Sequence, residues 1–240
     1  MSGYGFQFSK HNLLVKEGDN IFKKILIIGF LMMIVGCVSI KHVPLSQQTA
    51  VTLSGKVLQN SLYKKPDFAA YTFVKAGLGL IGGLAIISEG NDIIEKNSVE
   101  DPANYISEQL GLTLSEKYGV SILHVEPVIS VSDDLNELLK TYSQTNLLLD
   151  VRTFLWAFWY FPTDWNNYRI QYTARLRLID TQKREIIAEE FCRYLPEYNN
   201  TEDAPSYNEL VGNNATGLKS ELRKAADYCI EFFKKEAFRI

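Results

Sequence analysis

The sequence predicts an α+β fold: a mixed or antiparallel sheet with a β-meander, packed against two main helices at about 102–118 and 214–236. Three observations carry this. Ala103, Ile106, Leu110 and Leu114 recur at helical spacing. Ile170, Tyr172, Ala174, Leu176 and Leu178 alternate with Arg169, Gln171, Thr173, Arg175 and Arg177, the period of a strand with one buried and one solvated face. Leu218, Leu222, Ala225, Cys229 and Phe232 form a second helical stripe. Helices flanking a sheet built around a meander bury their apolar sides against it.

The elements follow in order. Residues 37–50 read as a polar tether, and 51–240 as a single domain. Thr52 to Leu62 includes a short first strand, followed by Phe68 to Lys75 and the glycine-rich "KAGLGLIGGLAII". Asp101 is a good N-cap and Pro102 suits the first helical position, while Gly119 ends that helix in a left-handed conformation. "VSILHVEPVISV" reads as a strand broken by Pro127. Asp133 and Asp134 precede Leu135, Leu138 and Leu139 and cap a short helix. A long apolar strand runs from Asn146 to about Phe161, and the turn-rich "FPTDWNNY" links it to a strand at Arg169–Asp180. "DTQK" turns the chain into a hairpin partner at Arg184–Tyr194. Residues 195–212 read as a polar loop before the last helix, which turns Cys229 toward the Cys192 strand.

The chain of 240 residues carries a net charge of -3. Its pI near 5.7 argues against nucleic-acid binding, whose electrostatic footprint is basic. Near the start, Lys23-Lys24 precede an apolar run at residues 25–35 and then Gly36-Cys37. A basic pair, a short apolar region and a small residue before a cleavage point make a secretory signal, too short to span a bilayer, which takes about 20 residues. The end of the run, Ile34-Val35-Gly36-Cys37, resembles a bacterial lipobox. That resemblance implies lipidation of Cys37 (palmitate and related acyl chains), removal of residues 1–36 and a mature chain of 240 − 36 = 204 residues. Several acyl chains anchor firmly, at about 0.8 kcal/mol per buried methylene. Residues 1–22 form a long polar preface, which reads as an over-long start with true initiation nearer Val15. Val38 after the lipid cysteine, in place of Asp, implies the periplasmic face of the outer membrane rather than the inner membrane.

Two cysteines then remain, Cys192 and Cys229, and in an oxidising compartment they read as a structural disulfide. No catalytic residue, metal site or cofactor is expected. The mature chain keeps His42 and His124, neither in a metal spacing nor beside a nucleophile, and no GxSxG, HExxH or P-loop occurs. Gly77, Gly79 and Gly82 spell a dinucleotide fingerprint, but no second strand follows to carry the acidic residue that motif needs. In "LWAFWYF" both faces are apolar. The strand is either covered on both sides, or Trp156, Phe158 and Tyr160 meet a partner or a bilayer surface.

The stretches "GGLAIISEGNDIIEKNSVEDP" and "YNELVGNNATGLKSELRKAADYC" resemble an uncharacterised group of proteobacterial lipoproteins. More distantly, the layout is similar to the domain shared by the curli secretion lipoprotein, the amino-terminal domain of TolB and lipoprotein activators of peptidoglycan synthases. The resemblance implies a non-catalytic envelope lipoprotein, membrane-bound through its lipid and working through an envelope protein partner. The alternative is a subunit of a secretion or transport assembly whose 76–87 segment contacts membrane or an oligomer interface.

Overall fold

The computed structural model describes residues 41–76, 79–126 and 128–240. The expected signal peptide, Cys37, Gly77 and Pro127 lie outside them. In chain order the strands are β1 (Val57–Asn60), β2 (Leu62–Tyr63), β3 (Ala69–Tyr71), β4 (Ser121–Ile122), β5 (Ile129–Ser130), β6 (Leu147–Phe161), β7 (Asp164–Asp180) and β8 (Glu185–Tyr194). The helices are α1 (Gln47–Ala50), α2 (Phe73–Ala76), α3 (Gly79–Lys96), α4 (Pro102–Tyr118), α5 (Leu135–Thr141) and α6 (Tyr207–Phe233). This is an α+β fold with a mixed, open sheet.

The expected meander is β6–β7–β8, antiparallel throughout. The other edge of β6 is shared. β1 pairs with it in parallel at Leu147–Leu149, and β3 pairs in parallel at Ala157–Trp159. β4 lies parallel outside β1, and β2 and β5 form a separate parallel pair. A bulge between Thr153 and Leu155 resets the alternation of β6, so that Thr153 and Trp156 both join the helix-side core.

α4 and α6 lie on that helix side, α4 against β1 and β6, α6 against β7 and β8. The Asp101 carboxylate accepts from the Ala103 amide, Pro102 opens the first turn, and Gly119 closes the helix at φ 68°. Ile106, Leu110 and Leu114 face the sheet and are at most 1% exposed. α6 starts at Tyr207, inside the stretch read as a loop, behind a capping box of Ser206 and Glu209. The chain leaves helical geometry at Gly212–Ala215, so the long uninterrupted part begins close to where the apolar stripe places it. The first turn folds back on the second segment at Gly217, where a Cβ would lie 2.1 Å from the Glu209 carbonyl oxygen.

The two expected helices are joined by a third long one, α3, of 18 residues. Four of its residues are glycines, and each Gly costs a helix interior about 1 kcal/mol relative to Ala. Packing overrides that cost. Ile86 sits against Ala69 and Ala157, while Ile93 and Ile94 reach the main core. Gly90 lets the helix touch the backbone of the β3 segment, for a Cβ there would lie 1.9 Å from the Phe68 carbonyl oxygen. Gly90→Ala is therefore expected to cost about 1–3 kcal/mol. Gly83→Ala, whose Cβ meets nothing within 4 Å, is expected to be neutral or to gain up to about 1 kcal/mol. Urea unfolding of both variants checks this, and equal losses would contradict the close approach at Gly90.

α3 also bears on the glycine fingerprint. Gly79 and Gly82 lie within a helix rather than in a strand-to-helix turn, and α3 passes to α4 with no strand between.

Candidate functional site

Trp156 and Phe158 are completely buried. The Trp156 indole N–H donates to the carbonyls of Pro66 and Asp67, and the Phe68 ring packs edge-on against both side chains. Of the two alternatives for this strand, the covered one holds at Trp156 and Phe158, because the helices and Phe68 cover that face of β6, and a direct partner or bilayer contact by these two side chains is ruled out. Tyr160, nearer the end of the strand, is half-buried beside Phe73. Cys192 and Cys229 are bonded, with their Cα atoms 5.6 Å apart, and neither is exposed. His42 contacts the Glu190 carboxylate. Among the described residues, no group of three or more His, Cys, Asp or Glu side chains is placed to hold a metal ion.

Away from the helices, the polar face of β7 is not solvated as its alternation implies. α5 covers one end of it, with Leu138, Leu139 and Tyr142 on Leu148 and Ile179. Beside this lies a buried ionic cluster. Asp150 is fully buried and directly opposite Arg177. The Arg177 guanidinium donates to Asp150 Oδ2 at 2.8 Å and to the Asp133 carbonyl at 2.8 Å. Asp150 Oδ1 accepts from Tyr63 at 2.6 Å and Ser61 at 2.8 Å. Asp133 binds Arg175 at 2.9 Å and Arg152 at 3.0 Å, while its neighbour Asp134 caps α5.

The titrations follow the geometry. Partial burial would raise the Asp133 carboxyl, but the guanidinium groups of Arg175 and Arg152 outweigh it and hold the carboxyl below its usual range. Burial likewise opposes ionisation of Asp180, and the Lys56 ammonium, at 2.7 Å, prevails and lowers it. Burial, and then the Asp150 charge, push the Tyr63 phenol far up. Asp133 and Asp180 therefore have folded pKa values below their unfolded ones. Their stabilisation is complete above the unfolded value, near pH 4, and is lost as pH falls through the folded values. Asp101, raised chiefly by burial, contributes with the opposite sign: its stabilisation is present at low pH and lost as pH rises through its folded value. Stability measured by urea between pH 5 and 2 is expected to fall, and Asp133→Asn is expected to flatten the slope. An unchanged slope would show that Asp133 is not paired. The carboxylates of the cluster are paired with guanidinium groups, and the Ser61 and Tyr63 hydroxyls are taken up as donors to Asp150 inside it, so the cluster acts as a structural brace.

A groove of about 580 Å³ opens where β4 ends. β4 pairs with β1 and β5 with β2, and the groove is lined by residues at the ends of β1, β2 and β4, by residues 123–125, and by α4. Two polar atoms there lack a protein partner among the described residues: Ser107 Oγ, on a residue 3% exposed, and Asn60 Oδ1. His124 also lines the groove. Its rim is apolar, with Leu112, Val125 and Val128 each about half exposed. Orphaned buried polar atoms under an apolar rim are what a ligand or partner chain would satisfy.

A third feature lies at the opposite end of β6. The hairpin between β6 and β7 turns at Pro162–Thr163, and Trp165 stacks on Phe73 of α2 with ring centroids 3.7 Å apart. Both rings are exposed, as are Val74 at 75% and Leu84 at 79%.

A scan of the chain against protein-family models finds no match, and a search of curated proteins finds none either. Solved structures give distant likenesses. A neuraminyllactose-binding hemagglutinin homolog from Helicobacter pylori is 10% identical, with 85% of this chain and 90% of that chain covered and a TM-score of 0.36. The PelC dodecamer from Paraburkholderia phytofirmans is 12% identical, with coverage of 77% and 91% and a TM-score of 0.29. Lipoprotein GNA1162 from Neisseria meningitidis is 10% identical, with coverage of 74% and 99% and a TM-score of 0.25. At these TM-scores none of the likenesses decides what this chain does.

Proposed function

We propose that the chain is a non-catalytic lipoprotein of the cell envelope, anchored through Cys37 to the periplasmic face of the outer membrane, with an accessory or scaffold role exerted through protein contacts. The groove carries the binding half of this reading: buried Ser107 and Asn60 atoms await partners beneath the Leu112, Val125 and Val128 rim. The anchor rests on Lys23-Lys24, the apolar run and Gly36-Cys37. The buried Cys192–Cys229 bond agrees with an oxidising compartment. Among the described residues no helix is long and apolar enough to cross a membrane.

The test has two arms. Labelled palmitate is expected to enter the wild type and not Cys37→Ser, and equal labelling would overturn the anchor. A photo-crosslinking residue in place of Val125 is expected to trap one discrete envelope protein in cells, and Ser107→Leu is expected to abolish that adduct. No adduct from Val125 or Leu112 would overturn the groove as a binding site.

The alternative, a subunit of a secretion or transport assembly, is favoured by the exposed apolar side chains at Phe73, Val74 and Leu84 around the 76–87 segment. Size measurement in detergent separates the two, because a large closed ring belongs to the alternative alone.

A further inference from the structure

We propose that the end of the domain formed by the β6–β7 hairpin tip and α2 rests on the phospholipid surface that carries the anchor, with Trp165, Phe73 and Val74 in the headgroup layer. The inference rests on the lipid-anchor reading above and adds to it which face of the domain meets the membrane.

The path of the chain gives the direction. Val43 and Glu189 exchange both backbone hydrogen bonds as an antiparallel bridge beside β8. Residues upstream of Val43 therefore run toward the Tyr194 end of β8. Tyr194 is level with Tyr172 and Trp156, so the chain heads for the end of the sheet where the hairpin turns.

The stretch 37–50 reads as a tether in the sequence, but Val43 already bridges to Glu189 and Leu45 is buried in the domain, so the connection to Cys37 is short and its length gives the distance. Lys41, two residues before Val43, is level with Phe191, Arg175 and Arg152. From Arg152 to Phe161, allowing for the bulge, is about eight strand steps, or roughly 26 Å at about 3.3 Å each. Cys37 is four residues from Lys41 and can reach at most about 14 Å. If the sheet stood upright, its tip would pass the anchored cysteine by about 12 Å. Apolar groups at a membrane interface sit roughly 5–10 Å into the headgroup and acyl boundary. A tether this short keeps the upright domain from standing clear of the bilayer, so that the domain either leans against the surface or enters its outer layer with the tip, and the chemistry of the tip decides which part makes the contact.

The tip carries the matching chemistry. Trp165 and Phe73 form one exposed aromatic stack, and Val74 beside them is 75% exposed. Aromatic rings with a polar edge favour the headgroup level. The nearby Lys75 is paired with Glu89, so docking is expected to be apolar and insensitive to salt.

The test uses the full chain, purified in detergent and reconstituted into phosphatidylcholine vesicles with and without brominated acyl chains. The chain has three tryptophans, and Trp165→Phe identifies the emission that belongs to Trp165. Brominated lipid is expected to quench that share at low and high salt, and Val74→Asp is expected to lessen the quenching while vesicle binding persists. Unquenched Trp165 open to aqueous iodide, on protein that stays with the vesicles, would overturn the docking and leave the anchor standing. Trp165 shielded from both quenchers would also overturn it, because the patch would then be covered by protein. Mass spectrometry of the same sample reads the acyl chains on Cys37 separately. Their absence would remove the anchor reading whatever Trp165 reports.

Discussion

Reduction of the Cys192–Cys229 bond is expected to lower stability by about 4 kcal/mol, the chain-entropy value for a loop closed between residues 37 positions apart. That loop holds the end of β8, the 195–206 connection and most of α6. The bond fixes α6 to the edge strand of the meander, where Cys192 lies opposite Ala174 and both sulfurs are out of water. Without it, α6 would depend on its buried apolar side chains, among them Leu218, Leu222 and Phe233, the last in place of the Phe232 that the sequence stripe pointed to. For a domain of this size the loss corresponds to roughly 8–16 °C in Tm. Urea unfolding of the wild type with and without reductant, and of Cys192→Ala/Cys229→Ala, checks this. The reduced wild type and the double variant are expected to converge. A difference below about 1 kcal/mol between oxidised and reduced protein would show that the unfolded chain is not constrained by the bond.

The disulfide was legible because two cysteines remain once Cys37 is set aside, and the helical stripe turns Cys229 toward the strand that carries Cys192. The same locality made α4 legible to its ends, since Asp101, Pro102 and Gly119 are signals that need no tertiary context. α3 was not, because its glycines lower local propensity and the compensating contact is with the backbone at Phe68, remote in sequence. The start of β7 was hidden for a similar reason. Asp164, Trp165, Asn166 and Asn167 are turn-type residues by composition, yet the turn takes only Pro162 and Thr163 and the strand begins at once. The short parallel strands β1, β3 and β4 carry no periodicity at all. The free edge of β6 sets the places of β1 and β3, and β4 adds to the outer edge of β1. The groove arises from that pairing, and no spacing in the sequence points to Asn60 and Ser107 together. The ionic cluster did leave one sign: Asp150 interrupts "LLLDV", a carboxylate in an otherwise apolar strand, opposite a strand with arginines at alternate positions.

That carboxylate gives the second large effect. Asp150→Ala is expected to cost about 3–5 kcal/mol, because it leaves the Arg177 guanidinium buried with its principal counter-charge gone. Arginine cannot escape by losing its proton. Burial alone would favour the neutral form, yet the Asp150 charge holds Arg177 even more firmly protonated than usual. Its remaining acceptor would be the Asp133 carbonyl, while Tyr63 and Ser61 would lose theirs as well. Asp150→Leu combined with Arg177→Met removes the charge problem and fills the volume, and most of the loss is expected to return. The size of that recovery separates two accounts of the cluster. If the pair itself supplied the stability, the double variant would be no better than Asp150→Ala. If the damage is the stranded guanidinium, the double variant approaches the wild type, and the cluster then fixes the position of α5 and the 61–63 segment rather than the overall stability. Urea midpoints for the three proteins read the difference directly, and an Asp150→Ala loss below about 1 kcal/mol would show that water reaches Arg177.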